Sequence, residues 1–286
     1  MVKMFLKLLS RLPFPVLYLI SDVLSFLAFH VIRYRRKVVF NNLRGCFPEK
    51  SKKEIYSIAS KFYTNLSDVI VELVKSFDLD IEDIKKRVKF NQKEILHSYL
   101  KQGQPVFCMA AHQCNWEWIL YGFHANFHFP ADPVYKPLAN KTFDKLMLEN
   151  RTRFGANPIP KNNAAREIVK RRKSPRAFAL VADQLPMKTT DKYWTDFLGR
   201  DTAFYTGTEQ LAGMVKAPVA FFGIRRVKRG YYEIDTIKIG EPPYENGSNV
   251  VLERYARELE RYILQSPSDW LWSHKRWKYT REDVDA

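Results

Sequence analysis

From residue 106 onward, short apolar runs alternate with stretches of helical periodicity, and this alternation constrains the fold more than any other feature of the chain. The runs lie at residues 106–111, 133–135, 177–182, 219–225 and 231–237. Each is too short for a self-sufficient helix and suits a buried strand, whose side chains are shielded on both faces. Helix-length segments between strands give the chain room to cross over and start the next strand in the same direction. The pattern therefore predicts an α/β fold with a central mixed, largely parallel sheet flanked by helices. The first 80 residues read differently, as helix. Over residues 52–77, Ile55, Ile58, Ala59, Phe62, Leu66, Val69, Ile70, Leu73 and Val74 recur at steps of three and four, which lines one helical face with apolar groups. Residues 78–104 read as charged connectors and one further helix, and residues 248–264 as a late helix.

Just after the first apolar run stand His112, Gln113, Cys114, Asn115, Trp116 and Glu117. An imidazole near a carboxylate can take a proton from a hydroxyl near neutral pH, because histidine titrates there and the acid offsets the charge it gains. Five residues apart on one helix, the two side chains would point roughly 140° away from each other. His112 is therefore expected before the helix, at a strand end, with Asn115 as the cap and Glu117 on the first turn. Open α/β sheets put their chemistry at such strand ends. The competing reading is a satisfied histidine beside a surface glutamate.

Residues 12–32 are almost wholly apolar and approach the ~20 residues needed to cross a bilayer, but Asp22 lies at their middle. A charge there costs about 3 kcal/mol on insertion scales, so the segment either spans or lies obliquely with one face in lipid. Residues 1–11 alternate Met4, Phe5, Leu8 and Leu9 with Lys3, Lys7 and Arg11 at helical spacing, the pattern of an interfacial helix. No small-residue cleavage site follows Ile32; Arg33, Tyr34, Arg35, Arg36 and Lys37 come instead. The segment is accordingly expected to be retained, with its basic flank on the cytoplasmic side. This divides the chain into residues 1–35, a membrane-anchoring helical segment, and residues 36–286, the main domain.

The charge balance points the same way. With 47 Lys and Arg against 31 Asp and Glu, the formal charge is +16, which calls for an anionic partner. The basic residues cluster at 33–37, 170–173, 225–229 and 275–278, without a zinc-finger, helix-turn-helix or RNA-recognition pattern, and nucleic acid is not expected as a partner. Aromatic residues make up 14% of the chain, more than a core requires, and amphipathic rings favour a membrane surface. Cys46, Cys108 and Cys114 are odd in number and lack C-x-x-C spacing, which argues against a disulfide framework and for a reducing compartment. Cys114 as nucleophile is disfavoured. His124 and His128 are four apart, but Pro130 follows and no H-E-x-x-H is present. There is no glycine-rich phosphate loop either, so no metal and no cofactor is expected.

The string from His112 to Glu117 resembles the H-x-x-N-W-E signature of the bacterial lipid A biosynthesis acyltransferases, the late lauroyl and myristoyl transferases of the lysophospholipid acyltransferase superfamily. Further likenesses run in family order. Arg36 to Leu43 and Cys46 to Glu49 resemble its R-x-V-x-x-N-L and C-F-P-E run, and Tyr135, Lys136, Pro137 and Asn140 its Y-R-P-x-x-N segment. Arg151 with Arg153 resembles its R-x-R pair, and Ala182, Asp183 and Gln184 its P-D-Q step. Phe197 to Gly199 and Thr206 to Ala212 are similar to its F-F-G and T-G-x-x-x-L-A region, and Trp272 to Lys278 to its W-x-H-R-R-F-K box. Two departures stand out: Lys136 replaces the family's arginine, losing the planar fork that grips an oxyanion or phosphate twice, and Ala182 replaces its proline.

The resemblance implies a glycerolipid acyltransferase-like fold and direct transfer of a fatty acyl chain from a thioester, on acyl carrier protein, to a hydroxyl of a phosphorylated lipid A precursor. It implies work at the cytoplasmic face of the cell inner membrane. His112 would be the base and Glu117 the group that holds its ring. Asn115, Lys136, Arg151, Arg153, Asp183 and Gln184 would bind substrate, with Lys136, Arg151 or Arg153 facing the carbonyl oxygen as charge develops. Rival readings are an acyltransferase for a lysophospholipid or an amino-acid-linked lipid, and a non-catalytic basic membrane or nucleic-acid binder.

Overall fold

The computed structural model describes residues 2–245 and 247–285. The N-terminal layer consists of α1 (Val2–Ser10), α2 (Phe14–Phe26), which continues through a π-turn at Leu27–Val31, α3 (Arg36–Cys46) and α4 (Lys52–Lys75). Ser51 and Glu54 form a reciprocal capping box at the start of α4, satisfying two backbone donors that the first turn leaves open. There follow α5 (Ile81–Arg87), β1 (Val88–Asn91), α6 (Glu94–Leu100), β2 (Val106–Ala110), α7 (Trp116–Phe127), β3 (Ala131–Tyr135), α8 (Lys141–Arg153), β4 (Ile159–Pro160), α9 (Ala164–Arg171) and β5 (Ala177–Val181). Next come β6 (Lys192–Asp196), β7 (Asp201–Tyr205), α10 (Gly207–Val215), β8 (Val219–Lys228), β9 (Tyr231–Gly240), α11 (Val250–Gln265) and the short α12 (Glu282–Asp285).

Seven strands form one sheet in the order β1-β9-β8-β2-β5-β3-β4, and a separate hairpin joins β6 to β7. Every neighbouring pair in the large sheet is parallel except β8 with β9, so the mixed, largely parallel sheet expected from the alternation of runs is present. Strand β2 lies at its middle and is buried along its whole length. Its side chains alternate between two cores, as the pleat requires. Phe107 and Met109 pack with Phe178, Phe221 and α11, whereas Val106, Cys108 and Ala110 pack with Ile119, Phe123 and Phe222 beneath α7.

Four strands escaped the pattern of apolar runs: β1, the two-residue β4, and the paired β6 and β7. Within residues 78–104, where connectors and one helix are expected, β1 pairs with β9; its four residues carry only two buried positions, Val88 and Phe90, too few to mark a strand locally. The β6–β7 hairpin is mostly half-exposed on its first strand, and its register is set by the turn at Leu198 and Gly199, both at positive φ.

In the N-terminal layer, α2 turns an unusual face inward. Leu17, Ser21 and Ser25, at steps of four, are buried, while Leu19, Val23 and Phe26 on the other sides are exposed, with Phe26 at 58%. The inward face is bonded to α4: Ser21 donates to Asp68 at 2.7 Å and Tyr18 to Glu72 at 3.0 Å. Asp22 is not alone, because Arg229, beyond the end of β8, pairs with both Asp22 and Asp68.

Candidate active site

Parallel pairing of β2 with β5 puts Ala110 opposite Val181. Counting two residues on from each strand end gives His112 and Asp183, which meet at the carboxyl edge of the sheet. His112 Nδ1 lies 2.7 Å from Asp183 Oδ1. A carboxylate only accepts, so Nδ1–H donates and the lone pair of the neutral ring sits on Nε2. The other carboxylate oxygen, Oδ2, accepts the backbone N–H of His112 at 3.0 Å and the indole N–H of Trp270 at 2.8 Å. Three donors thus hold Asp183, whose side chain is 3% exposed against 18% for His112. On the far side of the ring, the Gln184 amide approaches Nε2 at 3.2 Å, and Trp116 packs edge to face, 5.1 Å between centroids.

The electrostatics suit a base. Burial opposes the imidazolium, but the Asp183 carboxylate, through charge and hydrogen bond, and the Glu117 charge outweigh it, leaving His112 above its ordinary 6.5. Burial would raise Asp183, yet His112 and the Trp270 bond hold it below the usual carboxylate range. His274, by contrast, is pushed down to about 4, chiefly by burial, and is neutral at pH 7. Cys114 is buried with its Sγ toward the Ile224 carbonyl, and burial raises its thiol well above the ordinary value, which keeps it un-ionised and a poor nucleophile.

The partner of the His112 ring differs from the one expected. Asn115 does cap α7, accepting from the Trp118 N–H at 3.2 Å, and Glu117 does stand on the first turn. Its carboxylate, however, faces α8 and takes a bidentate pair from Arg151, at 3.0 and 2.6 Å. The fork of the guanidinium matches both carboxylate oxygens, leaving Glu117 to act on His112 through its charge. The ring is held instead by a residue 71 positions later in the chain, a relation that only strand pairing creates.

Other expected site residues divide into those that reach the site and those that do not. Gln184 touches His112, and Arg151 borders a groove under α7. Asn115 is fully buried, with its carbonyl oxygen in the helix cap and its amide donating to Glu72 at 2.8 Å, and burial withholds it from substrate. Arg153 turns away to the end of α4, donating to the carbonyls of Ser76, Phe77 and Leu79. Lys136 is exposed past the end of β3. Trp270 was not anticipated; nothing in the local sequence distinguishes an indole that binds Asp183 from one that fills the core.

Beside this pair a groove of about 640 Å³, mouth included, runs under α7. Small side chains on three adjacent strands, among them Cys108 and Ala110 on β2 and Ala179 on β5, leave the space. Phe123 and Phe222 wall it, and Glu117, Arg151 and Tyr135 supply polar lining. His112 itself lines a smaller crevice with Leu66, Val69 and Leu271, and Trp116 borders both. An apolar groove with a few convergent polar groups is the usual form of a ligand site. Among the described residues, no group of three or more His, Cys, Asp or Glu could hold a metal ion.

A family model described as bacterial lipid A biosynthesis acyltransferase matches residues 1–279. The chain is similar to the lipid A biosynthesis lauroyltransferase of Escherichia coli strain K12, 24% identical over 283 residues that cover 98% of this chain and 91% of the relative. It is also similar to the lipid A biosynthesis palmitoleoyltransferase of the same organism, 23% identical over 273 residues, 94% of this chain and 87% of the relative. A lipid A biosynthesis acyltransferase of Shigella flexneri matches with the same identity and coverage.

Proposed function

The chain belongs to the bacterial lipid A biosynthesis acyltransferases, and from that premise we propose that His112 is the general base in transfer of a fatty acyl chain from acyl carrier protein to a hydroxyl of a phosphorylated lipid A precursor. The observation that carries this reading is the His112–Asp183 pair at the sheet edge beside an apolar groove. With Nδ1–H committed to Asp183, Nε2 is free to accept the hydroxyl proton once the Gln184 amide yields its place. The oxygen attacks the thioester carbonyl, and the tetrahedral intermediate collapses to an ester. The expelled thiolate takes the proton back from the imidazolium, so His112 ends as it began. Asp183 keeps the ring oriented and offsets its transient charge.

Arg151 is the better supported donor for the carbonyl oxygen. Its Nε and Nη2 bind Glu117, Nη1 remains for a developing oxyanion, and the pair with Glu117 fixes its plane. Lys136 is free to meet a phosphate or the acidic carrier protein. The acyl chain occupies the groove beneath α7, where the small residues of β2 and β5 make room for it.

Residues 1–35 serve as the membrane anchor and 36–286 as the acyltransferase domain, at the cytoplasmic face of the inner membrane. Among the described residues one helical stretch, Phe14–Val31, is long and apolar enough to cross a bilayer. A full crossing, though, would carry Asp68 and Arg229, bound midway along α2, to the bilayer centre at a cost of several kcal/mol. An interfacial position leaves them at the surface and buries Leu19, Val23 and Phe26 in lipid.

The test replaces His112 with alanine and assays membranes with an acyl carrier protein thioester and a phosphorylated lipid A precursor. Turnover is expected to fall by about 10²–10⁴-fold, with membrane sedimentation unchanged. Near-normal turnover would remove His112 as base. Esterification of a lysophospholipid in place of the lipid A precursor would change the acceptor and keep the mechanism.

A further inference from the structure

Between the lipid-facing helix and the catalytic turn lies a buried polar ladder that the chemistry above does not use. Asn65, Asp68 and Glu72 stand on one face of α4, and all three are buried, Glu72 completely. The Asn65 amide donates to Asp269 Oδ1 at 2.8 Å, and Arg226 joins Asp68 to Asp269. Glu72 accepts three hydrogen bonds: Tyr18 of α2 at 3.0 Å, Tyr232 of β9 at 2.6 Å and Asn115 at 2.8 Å.

Both ends of the turn that carries His112 rest on this ladder. At one end Asn115 is bonded to Glu72. In the middle Cys114 is held at φ +49°, a left-handed conformation unfavourable for a residue with a Cβ, and its N–H donates to the Asp269 carbonyl at 2.9 Å. Directly beyond Asp269, the Trp270 indole binds Asp183, and the Leu271 N–H binds the His112 carbonyl at 3.0 Å. Because Asn115 uses its oxygen to cap α7, its amide can only donate, and among the described residues Glu72 is the acceptor that receives it. Without that acceptor, a strained turn loses the anchor at its Asn115 end.

We infer that Glu72 is a positioning residue for acyl transfer, holding the His112 turn through Asn115, and that Tyr18 ties this support to the lipid-facing helix α2. The segment that meets the membrane thereby forms part of the frame of the active site. Its removal lowers turnover as well as attachment. The inference rests on His112 being the base, and the experiment separates the two.

The full chain in phosphatidylethanolamine–phosphatidylglycerol vesicles is assayed with dodecanoyl–acyl carrier protein and a phosphorylated lipid A precursor, for Glu72→Leu, Tyr18→Phe and His112→Ala. Tyr18→Phe deletes one hydroxyl and keeps the ring, so it tests the link if Glu72→Leu fails to fold. Glu72→Leu, which leaves the Asn115 amide without an acceptor, is expected to lower kcat by about tenfold and Tyr18→Phe by about threefold, each with KM for the acyl donor within a factor of two. The downfield proton resonance of the His112 Nδ1–H should shift or broaden in both, a change that a loss of global stability alone would not produce in the folded fraction. Wild-type kcat and an unmoved resonance in both variants, with His112→Ala inactive, would overturn the positioning role alone. Turnover retained in His112→Ala would overturn the base, and the resonance would then decide whether Glu72 orients the ring.

Discussion

Two acid–base pairs meet at this site, and they are built in opposite ways. His112 and Asp183 come from the ends of neighbouring parallel strands, two residues past a register-matched pair of Cα atoms. Glu117 and Arg151 come from the first turn of α7 and the last turn of α8. The strand-end pair is fixed by backbone pairing on both sides and by a third donor, Trp270. The helix-end pair is held by its own bidentate geometry and sits where the helix dipoles favour each charge, acid at an N-terminus and base at a C-terminus. The difference teaches why the proposed chemistry is given to the pair whose position the sheet dictates, while the other lines the groove and acts on His112 through its charge.

Replacing Asp183 with asparagine strikes the strand-end pair and should give the largest effect of the changes that spare His112. We expect kcat to fall by roughly 10²-fold or more, since a base with its ring unsupported loses both orientation and charge compensation. The pH profile carries the sign. With His112 as the proposed base only its neutral form accepts the proton, so wild-type activity is expected to fall as pH drops through a value above the ordinary 6.5. Without the Asp183 charge the burial contribution dominates, and the acid limb should move to lower pH. An acid limb that stays in place would mean that another group governs it.

Glu117→Gln strikes the helix-end pair and sharpens the contrast. It leaves the Arg151 charge, 17% exposed, without its partner, and should cost about 1–3 kcal/mol in stability. Turnover should fall by less than for Asp183→Asn. The double variant Glu117→Gln with Arg151→Met is expected to recover part of the stability, measured by thermal melting, and none of the turnover, because it also removes the proposed oxyanion donor. A Glu117 variant slower than the Asp183 variant would reverse the assignment of roles.

Arg153→Ala should show the smallest effect. It removes a guanidinium that binds carbonyls at the end of α4, worth about 1 kcal/mol of stability, and kcat should remain at the wild-type level. A clear loss of turnover without loss of stability would place Arg153 back among the substrate-binding groups.

How much of this was legible beforehand depends on the range of the interaction. The strands at residues 106–111 and 177–182 and the cap at Asn115 follow from local patterns, and each appears within a residue or so of its expected bounds. Strand β1 does not, because four residues with two buried side chains carry too little periodicity. Asn115 and Glu117 lie within the His112 motif, and proximity in sequence made them look like parts of one device. In space Asn115 caps a helix and leans on Glu72, and Glu117 belongs to Arg151. Asp183 was recognisable as a site residue from the motif it resembles, but its bond to His112 was not.

The sequence by itself determined that an α/β sheet would form, that a histidine would stand at the end of a central strand, and that an apolar, basic-flanked segment would lie at the N-terminus. Those are consequences of side-chain period, capping chemistry and composition, all of which act over a few residues. Only the tertiary structure decided which acid serves the histidine and how the N-terminal helix meets the core. Parallel strands align their ends even though His112 and Asp183 stand 71 positions apart in the chain, and a buried carboxylate such as Glu72 acquires its donors from whichever helices and strands the packing brings within reach.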